Sequence, residues 1–399
     1  MKKSFFTSKR FMILVSFVGL YLLSAGASLA IFSYLNGSPA LDFSGNDITD
    51  TRSKITVDMP KTEECPINGA LFTKAEKSIW ETRRPIVAMI ENHADSRPQS
   101  GVSKADVVYE AVAEGGITRF LTVFYCGAAA QDVQIAPVRS ARVYFVNWAA
   151  GYGDRPIFMH VGGANDYGGT GETVKDARAL ELLETMGWRI PKGNDFDTTY
   201  DSGFPVFWRN YDRLDHPVAT EHTMMASLDA AYVQAANRGF GYKDSKGNKW
   251  NADFTAWKFA DDKPQSPPSA TKISFEFWSN KPDYDVTWNY NAETNSYLRE
   301  NGGKPQTDFE TNTQLSAKNV VILFTTEKGP VDKNLHMLYG AIGSGKAIVF
   351  QNGQAIEGNW EKATRDDMIT FKDKSGREIS FVRGVTWVEV VPNGNSIDY

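Results

Sequence analysis

Residues 105–125 read ADVVYEAVAEGGITRFLTVFY. Two runs in it, Val107–Val112 and Phe120–Tyr125, are short, apolar and rich in β-branched and aromatic residues, the signature of buried strands. Gly115-Gly116 and Arg119 stand between them in a turn-rich context. Ile86–Ile90 upstream and Ile157–Val161 downstream have the same character. Helical patterns lie between and after these runs, at Val143–Ala150, Glu172–Met186 and Met224–Asn237. In the second of them Val174, Ala177, Leu180, Leu183 and Met186 recur at three- and four-residue spacing, and Gly187 closes the segment. Strands mixed with helices of this length predict a layered α/β domain over residues 65–240.

Past residue 240 the helical signal fades. Residues 241–270, with Pro267-Pro268, read as a linker. Lys272–Trp278, Asp285–Tyr290, Val320–Thr325, Ala347–Gln351, Met368–Phe371, Glu378–Val382 and Thr386–Val391 all read as strands, parted by turn-formers such as Asn352-Gly353 and Ser375-Gly376. A mostly-β second domain over 271–392 follows. The expected fold class is therefore α+β/α/β, a layered first domain followed by a β-rich one.

The N-terminus sets the compartment. Lys2, Lys3, Lys9 and Arg10 precede an uncharged stretch from Phe11 to Leu35, and the first acid is Asp42. That length spans a bilayer, and the cationic flank stays cytoplasmic. The reading is a cytoplasmic segment 1–10, a transmembrane signal anchor 11–35, a polar tether 36–64 and an extracytoplasmic bulk, single-pass in the cell membrane. The alternative is a cleaved signal peptide with Ala25-Gly26-Ala27 as its cleavage site, against which the apolar run continues through Ala30-Ile31-Phe32. Export makes a disulfide between Cys65 and Cys126 permissible, with two buried thiols as the alternative.

Composition closes several routes. Lys and Arg total 43 against 48 Asp and Glu, a net charge of −5, so no basic footprint for nucleic acid exists. Two cysteines alone cannot build a structural zinc site or an iron–sulfur cluster. No H-E-x-x-H or paired metal spacing occurs, so neither a metal nor a cofactor is expected. Gly340 to Lys346 fits a phosphate-loop pattern, but Ala347 replaces the required hydroxyl residue and the strand-like Ile348-Val349-Phe350 follows.

Cation choice is the strongest chemical signal. From Arg83 to Arg155 there are seven Arg and one Lys; from residue 241 onward there are fifteen Lys and four Arg. The planar guanidinium suits bidentate binding of carboxylate or phosphate. Arg97, Arg119, Arg139 and Arg142 each lie beside Gly, Pro or a strand end, and are expected to converge on one anion-binding cleft with His160 or His93 at its rim. The loop Ala136–Arg142, between an expected strand and an expected helix, also favours anions through its amides. The alternative is structural pairing of these arginines with Glu91, Asp106, Glu110 and Glu114.

The same stretches resemble the YerB-like family, bacterial envelope lipoproteins built on a domain of unknown function. The resemblance runs through Arg83-Arg84-Pro85-Ile86, Glu91-Asn92-His93, Arg97-Pro98-Gln99-Ser100-Gly101, Ala105–Glu110, Glu114–Phe120, Pro137–Arg142 and His160-Val161-Gly162-Gly163. It resumes at Gly343–Ala347, Gly358-Asn359-Trp360 and Thr386-Trp387-Val388, so it covers roughly residues 65 to 392. It implies a two-domain extracytoplasmic protein held at the membrane, and no established activity. This sequence departs from the family in lacking the lipidation Cys near the end of the signal, and in having Thr223-Met224-Met225 after His222 where Asn-Leu-Tyr is usual. Two functions follow as expectations. One is a non-catalytic module whose Arg-rich cleft binds an anionic cell-wall polymer or an envelope protein. The other is an envelope phosphotransferase or hydrolase acting on a pyrophosphate-linked glycan, on a layout similar to that of LytR-CpsA-Psr enzymes. Whether the protein is an enzyme stays open at this point.

Overall fold

The apolar runs of the sequence come together as the middle of one mixed sheet. The structure, a computed structural model, describes residues 51–399. The strands of this sheet, numbered in chain order, are β1 (Ile86–Glu91), β2 (Val107–Glu114), β3 (Ile117–Phe124), β4 (Ile157–His160), β5 (Asp195–Asp197), β6 (Asn319–Thr325), β7 (Gly343–Gln351), β8 (Gln354–Lys362), β9 (Thr370–Asp373) and β10 (Thr386–Pro392). Across the sheet they run β9-β8-β7-β6-β10-β2-β3-β1-β4-β5. β2 and β3 form an antiparallel hairpin that turns at Gly115-Gly116, where φ is 57° and 83°, a left-handed pair that glycine adopts without strain. β10 enters between β6 and β2, parallel to both, with Val388 opposite Val321 on one side and Tyr109 on the other. Every residue of β1 and all but the last of β2 and β10 are buried. Strands covered on both faces carry unbroken apolar runs, which is why the sequence displays them.

Four helices are described, α1 (Lys74–Trp80), α2 (Val143–Ala149), α3 (Ala179–Thr185) and α4 (Leu228–Asn237). They are few and short, so the two-domain architecture is mostly β, and the α/β layering expected of the first domain is reduced to these pieces. The helix expected over Glu172–Met186 begins only at Ala179. A 3₁₀ turn, Lys175–Ala177, precedes it, and Arg178 breaks the path with ψ at 89° while its Nε donates to the Thr173 carbonyl at 3.0 Å. The segment expected as a helix from Met224 starts as a strand, Met224–Ser227, paired with Phe207–Arg209. Ser227 then caps α4, its Oγ accepting from the Ala230 amide at 3.1 Å. Two strands, Gln354–Lys362 and Ser296–Asn301, carry no apolar run and were not expected. Of the phosphate-loop look-alike, Gly340 to Lys346, the last four residues lie inside β7.

A second sheet, Lys272–Phe275, Val286–Asn291 and Ser296–Asn301, runs antiparallel throughout. It is bolted to the main sheet at the β2–β10 seam. Glu110 and Glu389 are direct neighbours there, both fully buried, and like charges so placed repel. Arg299 of the second sheet lies between them, Nη2 donating to Glu110 Oε2 and Nη1 to Glu389 Oε1. Its Nε donates to Gln306 Oε1 at 2.7 Å, and its plane sits 4.5 Å from the Trp387 ring centre. Burial pushes Glu389 up to about 8 against the pull of Arg299.

Cys65 and Cys126 are joined by a disulfide, with Cα atoms 6.0 Å apart. Beside it Asp106 is fully buried and accepts from the amides of Tyr125 (2.7 Å), Cys126 (2.9 Å) and Gly127 (3.0 Å) and from Asn68 Nδ2 (2.7 Å). Burial raises its pKa to about 7 even so. The expected membrane anchor 11–35 lies outside the described residues. Among the described residues no helix is long and apolar enough to cross a membrane.

Candidate functional site

The polar ends of β1, β2 and β3 meet the loop that leads into α2. The Glu91 amide donates to the Pro137 carbonyl at 2.9 Å and the Arg139 amide to the Met89 carbonyl at 3.0 Å, so this loop is laced along β1. Register does the rest, because Arg119 lies opposite Glu91 on one neighbour and Ala111 on the other. Three of the four expected arginines gather here. Glu114 pairs with Arg119 at 2.6 Å and with Arg142 at 2.7 Å, while Glu91 pairs with Arg139 Nε at 3.0 Å. Arg119 Nη1 also donates to the Ser140 carbonyl at 2.7 Å, fastening β3 to the loop.

In direct ion pairs the balance of charge is three guanidinia against two carboxylates, with the exposed Glu221 acting on Arg139 from farther off. Burial acts against the Glu114 carboxylate, and Arg119 and Arg142 overrule it, holding its pKa at about 2. Burial lowers Arg139 and Arg142, and repulsion from Arg119 adds to that. The Nε–H groups of Arg119 and Arg142 are buried without a hydrogen-bond partner among the described residues. Exposure is graded across the cluster. The Arg119 and Arg142 side chains are 2% and 9% exposed, whereas Arg139 and Glu114 are each 24% exposed and form the open edge.

Arg97 does not join them. Its Nε donates to Asn92 Oδ1 at 3.1 Å, Nη2 to the Asn92 carbonyl at 3.0 Å and Nη1 to the Asp283 carbonyl at 2.8 Å, and it lies over the Tyr284 ring at 5.1 Å. Its donors are spent on neutral oxygens that tie the end of β1 to the second sheet. It lines a separate cavity of about 330 Å³ with Asp283, Asn301 and Lys304. His160 is not at the rim either. It is fully buried, with Nε2 2.5 Å from Asp195 Oδ1 and Nδ1 2.7 Å from the Gly162 carbonyl. Arg189 completes that interior network, reaching Asp195 at 2.7 Å and Asp197 at 3.0 Å. His160 lies opposite Asp197 in register with β5, and its ring reaches Asp195 two residues back on that strand, in the interior and away from any open cleft.

His93 does stand at the rim. It caps the 3₁₀ turn Ala94–Ser96, Nδ1 accepting from the Asp95 amide at 3.2 Å, and its ring stacks on His222 with centres 4.8 Å apart. His222 Nδ1 lies 2.6 Å from Glu91 Oε2, so Glu91 serves Arg139 with one oxygen and His222 with the other. Sequence reasoning passed over His222, because a partner 131 residues away leaves no spacing to read. The donor atoms of His93, Asp95 and His222 all lie within 4.8 Å of one another and are the described group best placed to hold a cation. The α2 amides add nothing to the anion case, since that helix has only seven residues.

Comparison with known proteins identifies the family. A Bacillus subtilis (strain 168) protein named "Putative lipoprotein YerB" is 31% identical over 336 residues, 84% of this chain and 88% of that protein. The crystal structure of the YerB protein from Bacillus subtilis matches with a TM-score of 0.64 at 27% identity, covering 85% of this chain and all of that one. Residues 72–241 match the family "Protein of unknown function (DUF3048) N-terminal domain" and residues 273–388 its C-terminal domain. The chain belongs to this two-domain, YerB-like family of unknown function.

Proposed function

We propose that this protein is a membrane-tethered, extracytoplasmic envelope protein that binds an anionic envelope polymer at the Arg119–Arg139–Arg142 cluster. The observation that carries the reading is the charge imbalance of three guanidinia sharing two carboxylates, with Arg139 at the open edge. Arg119 and Arg142 share the single carboxylate of Glu114, which leaves the cluster short of negative charge, and an anion docking at its open edge beside Arg139 offsets that shortfall. The anchor of this reading is the uncharged stretch 11–35, followed by the polar tether 36–64, and the relative's description as a lipoprotein supports a membrane-associated, exported location.

The test is titration of the full chain in detergent with inorganic polyphosphate, and in parallel with poly-glutamate. The expected result is saturable polyphosphate binding that weakens about tenfold in Arg139→Ala and less in Arg139→Lys, which keeps the charge but loses the fork. Tighter binding of poly-glutamate would point to an acidic protein segment instead. Equal binding by wild type and Arg139→Ala would remove the cluster from consideration.

A further inference from the structure

Three of the chain's five histidines meet beside the end of β1, although no spacing in the sequence announces it. His93 and His222 stack face to face with their planes 26° apart. His216 comes from a neighbouring loop, its Nε2 3.4 Å from the Asp95 carbonyl. Asp95 presents a carboxylate 3.8 Å from His93 Nδ1, on a side chain 72% exposed and free to turn.

The chemistry of His222 is the decisive detail. A carboxylate only accepts, so His222 Nδ1 carries the hydrogen toward Glu91 and Nε2 is the nitrogen left for a ligand. A carboxylate behind an imidazole is the usual outer support of a metal-bound histidine, setting its tautomer and raising its basicity. Glu91 is already matched by Arg139, so the pair of imidazoles sees Asp95 and Glu221 as its remaining acids. We propose that His93, Asp95 and His222 bind a divalent transition-metal ion of the zinc class, with Glu91 orienting His222. Two imidazoles and one carboxylate suit zinc and leave a coordination position for water or an incoming anion. Ligand atoms on a tetrahedral zinc stand about 3.4 Å apart. Closing the present spread of up to 4.8 Å requires the half-buried His93 ring to turn out of its stack on His222 as well as a rotation of the exposed Asp95 side chain. The inference stands on this geometry alone and does not require the anion site, though Glu91 would couple the two.

The experiment uses the untagged full chain in detergent, stripped with chelator and dialysed. Titration with zinc chloride is followed by calorimetry, and cobalt(II) by its visible absorption. The expected result is one saturable ion per chain and an intense cobalt spectrum of the four-coordinate kind. Asp95→Asn, at a solvent-facing position, is expected to weaken zinc about tenfold or more and to abolish the cobalt spectrum with the melting curve of the stripped protein unchanged; His93→Ala is expected to do the same to zinc and cobalt, with the loss of its cap on Ala94–Ser96 read separately from its melting curve. His222→Ala also frees a buried acid, so it serves as support and not as the deciding variant. Zinc binding undiminished in both Asp95→Asn and His93→Ala, or no saturable binding by wild type, overturns the proposal.

Discussion

Glu114 neutralises two guanidinia with one carboxylate, and this makes it the residue most exposed to acid. Its folded pKa of about 2 is below the ordinary value, so its contribution is full above roughly pH 4.5 and is lost as pH falls toward 2. Glu114→Gln is expected to lower stability at pH 7 by about 2 kcal/mol. Its difference from wild type in urea melts should shrink steadily between pH 5 and pH 2; a constant difference would show that Glu114 is not ionised against Arg119 and Arg142. Asp106 behaves in the opposite sense. With its pKa raised to about 7, it favours folding most at low pH and progressively less as pH rises through 7. Its oxygens nonetheless satisfy three backbone amides, so Asp106→Ala should cost at least about 3 kcal/mol at any pH, measured by chemical denaturation. The Arg count of the sequence told truly that this stretch is special, but not that the arginines do different work. Arg84 clamps the carbonyls of Gly241, Asp154 and Arg155, each at 2.9 Å, and Arg97 those of Asn92 and Asp283. A guanidinium serves a carbonyl as well as a phosphate, and residue type cannot tell the two apart.

Among the elements, those buried on both faces were legible and the half-exposed ones were not. β1, β2, β6 and β10 appear in the sequence within a residue or two of their true bounds, because burial demands apolar side chains at every position. β8 reads QAIEGNWEK, with acids and amides along its exposed face, and its pairing with β7 through the Asn352-Gly353 turn and with β9 on the other side makes it a strand. The apolar face of Glu172–Met186 was real, but periodicity does not register a side chain such as Arg178 holding the preceding turn out of the helix. The seam between β10 and β2 gives a test at this scale. Arg299→Met leaves Glu110 and Glu389 adjacent and buried without a cation, so it should cost about 3–5 kcal/mol near pH 8. The cost should be smaller at pH 5, where Glu389, whose pKa is pushed up to about 8, holds a proton. Thermal melts of both forms at the two pH values check this, and an equal loss at both would remove the seam's electrostatic account.

At the scale of the molecule, the two matched regions are joined by more than their connecting segment, since strands from both pair within one sheet. The disulfide adds a further closure, tying Cys65 to a position 61 residues on. Replacing both cysteines by Ser should lower stability by about 2–4 kcal/mol through the freer unfolded chain, and alkylation of the native protein without reductant should find no thiols. For topology, protease added to intact protoplasts should digest the bulk of the chain and spare only a short N-terminal piece; a protected bulk would reverse the orientation.

The place of β10 has a consequence for how the protein comes into being. A chain made from its N-terminus delivers Thr386–Pro392 late, yet that strand fills the gap between β6 and β2. Until it arrives, β2 presents an open flank of unpaired backbone groups, the kind of edge that recruits stray strands from other molecules. β2 therefore waits for one of its two partner strands through most of the chain's synthesis. A chain stopped at residue 384 should never reach the native state, however complete its first 240 residues, and should accumulate as aggregates on the far side of the membrane.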